Sequence, residues 1–380
     1  MLIGIDSSRA ARAERTGTEA YSLHLIRALL AAAPQHRFRL YADRPLPREL
    51  DAPLPSVAEP RVMPFPRLWT HARLSAEMLT HPPDVLFVPA HVVPLIHPRT
   101  VVTVHDLGYL YFPLAHPFPA RLYLDLSTRW SVRAAARVIA DSQATKDDLA
   151  RHYGVSLGKI SVVYPGRDES LRRVNDPAAI EAVKRQYNIS GEYLLYIGTL
   201  QPRKNLVRLV MAFSDLRPPA FASDLRLVLA GRKGWLYDDI YAEVKRLGLE
   251  GQALFPGRVA EEDKAALISG ATALLLPSLY EGFGLPVVEA MQCGTPVLCS
   301  NTSSLPEVAG EAALLVDPTN VGELAQAMRR LLDDADLRQT LVERGYTQAQ
   351  KFSWATCADK VLSILESVPQ AGGMGYRPTE

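Results

Sequence analysis

Short apolar runs alternate with stretches of helical periodicity along almost the whole chain. The early runs LIGID, HRFRLYA and TVVTVHD are typical of buried strands, and GTEAYSLHLIRALLAAAP, between the first two, is typical of a helix that ends at Pro34. Because parallel strands need long crossover connections, usually helices, this alternation predicts βαβ units around mostly parallel sheets. We therefore expect an α/β protein whose ligand sites lie at the carboxyl ends of its strands.

The alternation occurs twice, in two series of similar length. The second series opens with YLLYIGT and NLVRLVMAFSDL, and Pro165 and Gly166 interrupt the pattern before it. Periodicity leaves open whether the last helix packs back on the first domain. The predicted division is an N-terminal domain at 1–166, a C-terminal domain at 167–351, a last helix at about 352–368 and a flexible tail at 369–380.

Composition narrows the class of protein. A chain of 380 residues exceeds one compact core, and its formal net charge of +1 gives no support to nucleic-acid binding. Its three cysteines form no CxxC pair and no Cys/His cluster, so neither a disulfide framework nor a metal site is indicated. No run approaches the roughly 18 apolar residues of a membrane span. We expect a cytoplasmic protein, with the helical segment 67–83 as the candidate for peripheral membrane contact, although packing on its own domain is preferred.

The segment SLYEGFGLPVVEAMQCGTPVL, residues 278–298, combines a glycine loop with a short helix. It follows the apolar run TALLLPS, and Pro286 suits the first turn of a helix because its missing N–H is not needed there. The main-chain N–H groups of Phe283, Gly284 and Leu285 would then point out of the helix N-terminus. Such a position favours phosphate.

Two carboxylates flank that predicted phosphate site. Glu281 lies in the loop and Glu289 on the helix, and both would repel phosphate directly. Paired acceptors suit vicinal hydroxyls, and a sugar nucleotide carries hydroxyls on both sides of a diphosphate. The alternative is two solvated surface carboxylates, which the spacing alone would favour. The strand–loop–helix context favours the ligand.

The segment EGFGLPVVEAMQCGTPV resembles the E-x7-E signature of glycosyltransferase family 4, and its flanks are similar to that family from ALFPGRVAEEDK to AALLVDP. The first half resembles it more weakly. The resemblance implies the GT-B fold, with two Rossmann-like domains, for acceptor and donor, facing across a central cleft. It implies retaining transfer from a nucleotide-sugar without metal or other cofactor. Glu281 would face the donor sugar, Glu289 the ribose hydroxyls, and Arg258 and Val259 the base.

The segment YIGTLQPRKNLVRLVMAF resembles the basic diphosphate clamp of the family. Arg203 and Lys204 follow a strand and precede a helix, where fixed cations would stabilise the charge of a leaving diphosphate. Many members carry an arginine directly after the strand-end glycine, whereas here Thr199 follows Gly198. The alternative is an ordinary solvated turn.

Three residues of the first half match family positions near the donor. Gly17 and Thr18 stand at a loop-to-helix junction similar to the family's glycine loop, although Thr18 could also be a simple N-cap. His105 follows a strand and would donate to a sugar hydroxyl or act through its carbonyl. A buried structural histidine is the alternative. No residue identifies itself as a carboxylate nucleophile, so a front-face mechanism is preferred.

The favoured function is therefore a retaining hexosyltransferase of polysaccharide or glycoconjugate biosynthesis. GTLQPRKN resembles mannosyltransferases of bacterial surface polysaccharides, which makes GDP-mannose the first choice of donor, with a glycan or lipid-linked acceptor. The alternatives are a nucleotide-sugar epimerase or hydrolase and a noncatalytic nucleotide-sugar binding protein. A dehydrogenase is disfavoured, because GFGLPV lacks the third glycine of the dinucleotide fingerprint. No oligomeric state is predicted.

Overall fold

The computed structural model describes residues 1–13, 17–51, 57–115, 117–216 and 224–368. The chain divides into two compact units: unit 1 holds Met1–Leu107, Phe118–Gly166 and the C-terminal segment from Ser353, and unit 2 holds Gly108–Pro117 and Arg167–Phe352. The units meet in sequence at Gly166 and Arg167. The segment Gly108–Pro117, which the sequence analysis places in the first domain, belongs to unit 2. The tail expected at 369–380 lies outside the described residues.

The elements before Gly166 alternate as the apolar runs indicate. Among the described residues they are β1 (Leu2–Asp6), α1 (Gly17–Ala32), β2 (Arg37–Ala42), α2 (Arg48–Asp51), β3 (Ala58–Val62), α3 (Ser75–Thr80), β4 (Val85–Val88), β5 (Thr100–Val104), α4 (Gly108–Tyr111), α5 (Phe118–Ala134), β6 (Arg137–Ala140), α6 (Gln143–Tyr153) and β7 (Ile160–Val162). A turn of π-helix at Thr70–Leu74 leads into α3.

The sheet of unit 1 is parallel throughout, in the order β3-β2-β1-β4-β5-β6-β7. The sequence analysis did not identify β3, because it carries Pro60 and exposed side chains. Proline has no N–H to donate to a neighbouring strand, so within sheets it is found mainly on edge strands, which have a partner on one side only. Strand β3 is such an edge strand. The strand order reverses between β1 and β4, which is where α/β sheets of this kind place their ligands.

The last helix of the described chain, α15 (Trp354–Ser367), packs against α1 in unit 1. Its buried residues Cys357, Val361 and Leu365 join the core that also holds Ile3 and Ile5 of β1. Burial raises the pKa of the Cys357 thiol, and this side chain serves as a small apolar core residue.

The segment 67–83 packs on its own unit, the interpretation that the sequence favoured. Trp69, Leu74 and Met78 are buried, and only Leu79 of its large apolar residues after Leu68 is exposed. None of the helices in the described ranges combines the length and the hydropathy of a membrane span.

Unit 2 repeats the same architecture. Its described elements after Arg167 are α7 (Pro177–Gln186), β8 (Tyr193–Ile197), α8 (Leu206–Ser214), β9 (Arg226–Ala230), α9 (Asp238–Arg246), β10 (Ala253–Gly257), α10 (Glu261–Ser269), β11 (Ala273–Leu276), α11 (Leu285–Gln292), β12 (Val297–Ser300), α12 (Leu305–Ala309), β13 (Ala313–Val316), α13 (Val321–Asp333) and α14 (Ala335–Ala349).

The sheet of unit 2 is also parallel, in the order β10-β9-β8-β11-β12-β13. Its strand order reverses between β8 and β11, which pair directly through Leu194 with Ala273 and Leu195 with Leu274. The loops that follow these two strands therefore lie side by side at the carboxyl edge. The prediction of two parallel-sheet α/β domains is confirmed.

Candidate active site

The loops after β8 and β11 bring together residues that are far apart in the chain. A short helical turn, Pro202–Lys204, follows β8 and carries Arg203 and Lys204, while Glu281 lies in the glycine loop after β11. Because β8 and β11 are neighbours, the cations and the carboxylate meet at the point where the strand order reverses.

Glu281 is the centre of this cluster. The Lys204 ammonium and the Ser278 hydroxyl both donate to its Oε1, the latter at 2.7 Å, and Arg203 Nη1 lies 3.4 Å from its Oε2. Arg203 also donates to the Tyr280 carbonyl at 3.2 Å. Glu281 is only 6% exposed, so the alternative of a solvated loop carboxylate does not describe this residue.

The charge state of Glu281 follows from its neighbours. Burial by itself would raise the pKa of this carboxyl, but the charges of Lys204 and Arg203 and the hydrogen bonds from Lys204 and Ser278 outweigh burial and lower it. Glu281 is therefore ionised at neutral pH. Counted by themselves, these three side chains are two cations and one anion, with a net charge of +1.

Two serines that sequence reasoning missed hold the backbone of the loop. The Glu281 N–H donates to Ser303 Oγ at 2.9 Å, and Ser304 Oγ donates to the carbonyls of Glu281 and Phe283 at 3.0 and 2.8 Å. Both serines follow β12, the next strand of the sheet. Apart from its position after a strand, nothing in their sequence, NTSSLPE, indicates that these serines belong to the site.

Gly284 is required by the backbone. Its φ is +105°, and a Cβ there would stand 2.6 Å from Leu305 Cδ2. It caps α11, whose first residue is Leu285, and the preceding Phe283 is buried with its ring 5.3 Å from that of Phe352. The three residues predicted to present N–H groups thus form a fixed turn at the N-terminus of α11.

Glu289 lies on α11, away from that turn, and has a partner of its own. Lys264 of α10 donates to Glu289 Oε1 at 2.7 Å, and both side chains are largely buried. Burial acts to lower the pKa of Lys264, but Glu289 outweighs burial and raises it. The pair leaves Glu289 Oε2 as the oxygen with which this side chain can accept further hydrogen bonds.

The residues predicted near the base lie at the end of β10, in the turn before α10. Arg258 is exposed and Val259 half-buried, directly after Gly257, whose φ is +78°. The helix that follows, α10, carries Lys264, the partner of Glu289. The predicted base-binding turn therefore lies only a few residues before Lys264 in the chain.

In unit 1, Gly17 and Thr18 form the first turn of α1. Gly17 is exposed, and no described atom lies within 4 Å of where its Cβ would stand. Packing within the described part of the chain therefore does not require a glycine here. Thr18 lies inside the helix, and its carbonyl accepts from Ser22 Oγ at 2.9 Å, so it is not an N-cap.

His105 follows β5 and belongs to a buried network. Its Nδ1 is 2.6 Å from Asp141 Oδ2, and its Nε2 donates to the Pro89 carbonyl at 3.0 Å. Tyr21 of α1 packs edge-on against the ring with centroids 4.7 Å apart. Both ring nitrogens are engaged, so donation to a sugar hydroxyl would require one of these bonds to break. The main-chain carbonyl accepts a 3.3 Å bond from Thr145 Oγ1, and a carbonyl oxygen has two lone pairs.

Asp141 was not identified from the sequence as a site residue. It follows β6, which pairs with β5, so adjacent strand ends place it beside His105. Burial acts to lower the pKa of His105, but the Asp141 carboxylate outweighs burial and raises it. Burial also raises the pKa of Asp141 against the opposing influence of His105. Asp141 Oδ1 is buried without a hydrogen-bond partner in the described structure.

Two α/β domains, each with a parallel sheet whose strand order reverses at one point, are the architecture of glycosyltransferases with the GT-B fold. Residues 180–348 match the family described as "Glycosyl transferases group 1", and residues 15–171 match "Glycosyltransferase Family 4". O-antigen chain mannosyltransferase B of Escherichia coli is 34% identical over 269 residues, 70% of each chain. The chain belongs to glycosyltransferase family 4.

Other relatives match less of their own length. Serotype-specific mannosyltransferase WbdA of Escherichia coli is 30% identical over 277 residues, which are 71% of this chain but 33% of WbdA. D-inositol 3-phosphate glycosyltransferase of Rhodococcus opacus (strain B4) is 28% identical over 295 residues, 76% of this chain and 65% of its own.

Solved structures confirm the fold. Anabaena HepE, crystallised with UDP and glucose, has a TM-score of 0.74 at 21% identity and covers 97% of this chain and 99% of its own. WaaG, a glycosyltransferase involved in lipopolysaccharide biosynthesis, has a TM-score of 0.73 at 18% identity, with 97% and 100% covered. At these identities the likeness concerns the GT-B fold alone.

Proposed function

We propose that this protein is a retaining mannosyltransferase that moves mannose from GDP-mannose to a glycan or lipid-linked acceptor in polysaccharide biosynthesis. The observation that carries the proposal is the cluster of Lys204, Arg203 and Glu281 at the strand-order reversal of unit 2. The mannosyl specificity is supported by O-antigen chain mannosyltransferase B and by WbdA, both named as mannosyltransferases.

The cluster suits a diphosphate beside a sugar. Lys204 and Arg203 are held by a carboxylate that is itself fixed by Ser278, so their positions are set before a ligand arrives. Preorganised cations stabilise negative charge as it develops on a leaving group, without further reorganisation. The N-terminus of α11 adds to this positive potential. We assign the leaving diphosphate to these three features.

The two carboxylates would then bind hydroxyls on opposite sides of the diphosphate. Glu281 lies against the cations and would accept from hydroxyls of the transferred sugar. Glu289 lies further along α11, with Lys264 holding one oxygen, and would accept from the ribose hydroxyls with the other. Arg258 and Val259 would face the base through their main chain.

The proposed reaction is a front-face displacement. The bond between C1 of the sugar and the β-phosphate oxygen breaks, and the acceptor hydroxyl oxygen bonds to C1 on the same face. The acceptor proton passes to the departing phosphate oxygen, so that the nucleoside diphosphate is the leaving group. Positive charge that develops at C1 would be stabilised by the His105 carbonyl. No step of this proposed reaction requires a metal.

A donor comparison tests the proposal. The purified protein is titrated by calorimetry with GDP, UDP and dTDP, and then incubated with the sugar nucleotide of the tightest base and a mannose-terminated acceptor. We expect GDP to bind best and mannose to appear on the acceptor with retained anomeric configuration. Release of free mannose without acceptor dependence would indicate a hydrolase, a changed sugar on the nucleotide an epimerase, and binding without turnover a noncatalytic binding protein.

A further inference from the structure

Helix α10 in unit 2 begins without the side chain that usually caps a helix. Its N-cap residue is Ala260, which has no side-chain oxygen to accept from the first N–H groups of the helix. Asp263 stands three positions later, where a capping box has a glutamate or glutamine that reaches back to the N-cap N–H. An aspartate is one methylene shorter than that glutamate. The usual local cap is therefore missing at α10.

Tyr187, which directly follows α7, completes this cap from outside the helix. Its hydroxyl accepts from the Ala260 N–H at 3.1 Å and donates to Asp263 Oδ2 at 2.7 Å. One hydroxyl thus links the two groups that a capping box joins directly. Gln186 Nε2 donates to the same Asp263 oxygen at 2.8 Å, so the carboxylate is held from two sides.

The turn before α10 is also held at its other end. The Gly257 carbonyl accepts at 2.7 Å from the N–H of Gly231, which directly follows β9. Between these two anchors lie Arg258 and Val259, whose main-chain groups make no hydrogen bond among the residues that the structure describes. A segment that is fixed at both ends, with open main-chain donors and acceptors between them, is preorganised to bind a ligand.

The first turn of α10 also carries Lys264, which follows Asp263 and donates to Glu289. In the proposed function the base of the nucleotide faces the turn at 258–259, and the ribose faces Glu289. Both contacts of the nucleoside therefore depend on where the first turn of α10 is placed.

We propose that Tyr187 is a positioning residue for the nucleoside half of the donor. Its hydroxyl fixes the turn at 258–259 and, through Asp263, the first turn of α10, and it acts without contact with the nucleotide. This inference rests on the proposed function, because it takes the base to bind at that turn. The cations assigned to the diphosphate, Arg203 and Lys204, lie in the loop after β8 and should not depend on Tyr187.

The test compares two ligands by calorimetry. One is GDP, or UDP if that binds more tightly, and the other is inorganic pyrophosphate, which has the diphosphate but no nucleoside. Tyr187→Phe keeps the ring and removes both hydrogen bonds of the hydroxyl. We expect the affinity for the nucleoside diphosphate to fall about twofold to tenfold, the range of one neutral hydrogen bond, and the affinity for pyrophosphate to stay unchanged.

Tyr193→Phe is the matched control. The Tyr193 hydroxyl donates to the Leu267 carbonyl at 2.6 Å, so it also binds α10, but nearer the other end of the helix. This variant should lose stability, measured by thermal unfolding, and keep both affinities. If Tyr193→Phe lost as much nucleotide affinity as Tyr187→Phe, any weakening of α10 would have the same effect, and the proposal would be overturned.

Kinetics and a second variant examine the same link. In Tyr187→Phe, KM for the donor should rise about twofold to tenfold with kcat nearly unchanged, because the ground state and the transition state lose the same nucleoside contacts. Asp263→Ala should act in the same direction. Adding it to Tyr187→Phe should reduce the affinity little further, because the two side chains belong to one hydrogen-bonded chain. Fully additive losses would contradict that link.

Failure of this inference differs from failure of the proposed function. If the wild type bound GDP and transferred the sugar, but Tyr187→Phe kept the wild-type affinity or lost pyrophosphate equally, only the role of Tyr187 would be wrong. If the wild type bound pyrophosphate but no nucleoside diphosphate, both would be wrong.

Discussion

Lys204 and Glu281 form an ion pair at the carboxyl edge of the second sheet, and their side chains are only 10% and 8% exposed. A buried pair of this kind is costly to break from one side, because the remaining charge is left without a counterion. A diphosphate is the type of ligand that can replace the carboxylate as the partner of Lys204. The pair therefore couples the stability of the loop after β11 to the binding of the leaving group.

Lys204→Ala should weaken binding of the nucleoside diphosphate by about tenfold to a hundredfold, since a hydrogen bond to a charged group is worth about 1.5–3 kcal/mol. It should also destabilise the protein, because Glu281 would remain buried with Arg203 alone. Calorimetry measures the binding. The double variant Lys204→Met with Glu281→Gln keeps the charge balanced and should recover stability without recovering binding. Wild-type affinity in the double variant would refute the role of Lys204.

Glu281→Gln and Glu289→Gln should have different effects. Glu281→Gln removes an anion that competes with the diphosphate for Lys204 and Arg203, and this offsets the loss of their fixed positions. Affinity for the nucleoside diphosphate should therefore change little, whereas kcat should decrease about tenfold to a hundredfold. Glu289→Gln should weaken donor and nucleoside diphosphate alike, mainly through KM. Initial rates and calorimetry compare the two. Equal losses of nucleoside-diphosphate affinity would mean that the sugar lies elsewhere.

Lys264→Ala should act through Glu289. Loss of the 2.7 Å contact leaves the Glu289 carboxylate without the partner that orients it, so KM for the donor should rise about fivefold to tenfold with kcat little changed. Lys245→Ala, an exposed lysine on α9, is the control and should leave both constants as they are. If Lys264→Ala lowered kcat instead, the lysine would act on the reacting atoms and not on the ribose side.

Asp141→Asn should lower the pKa of His105. In the wild type the Asp141 carboxylate raises this pKa above its ordinary 6.5 despite burial, and without that charge burial should bring it below 6.5. Nuclear magnetic resonance titration of the ring, assigned by its absence in His105→Gln, measures the change. If the charge on His105 supports catalysis, kcat at neutral pH should fall while KM stays nearly constant. An unchanged titration would contradict the coupling.

Activity should survive removal of divalent ions. Lys204, Arg203 and the N-terminus of α11 supply positive potential at the position where a metal would otherwise neutralise the diphosphate. Rates are measured with the donor before and after exhaustive treatment with EDTA, with a metal-dependent transferase assayed in parallel to show that chelation is complete. Loss of activity that magnesium or manganese restored would exclude the metal-independent mechanism.

Local chemistry in the sequence was enough to predict the α/β class, the boundary near Gly166 and most of the strands. Apolar runs and helical periods are patterns among residues close together in the sequence, so they can be recognised before the tertiary structure is known. Gly284 was also predictable, because a glycine between a strand and a helix commonly serves a positive φ. Strand β3 was missed because Pro60 and exposed side chains contradict the usual strand pattern. Helix α5 was not identified either, although its apolar residues Phe118, Leu122, Leu126 and Trp130 recur at helical intervals.

Only the tertiary structure decided which charged groups meet. Lys204 and Glu281 are 77 positions apart, and they meet because β8 and β11 are adjacent strands. His105 and Asp141 meet because β5 and β6 are adjacent, 36 positions apart. The sequence alone determined which residues stand at strand ends. Strand order determined their partners, and with them the pKa values, because electrostatic interactions depend on distance in space and not on separation along the chain.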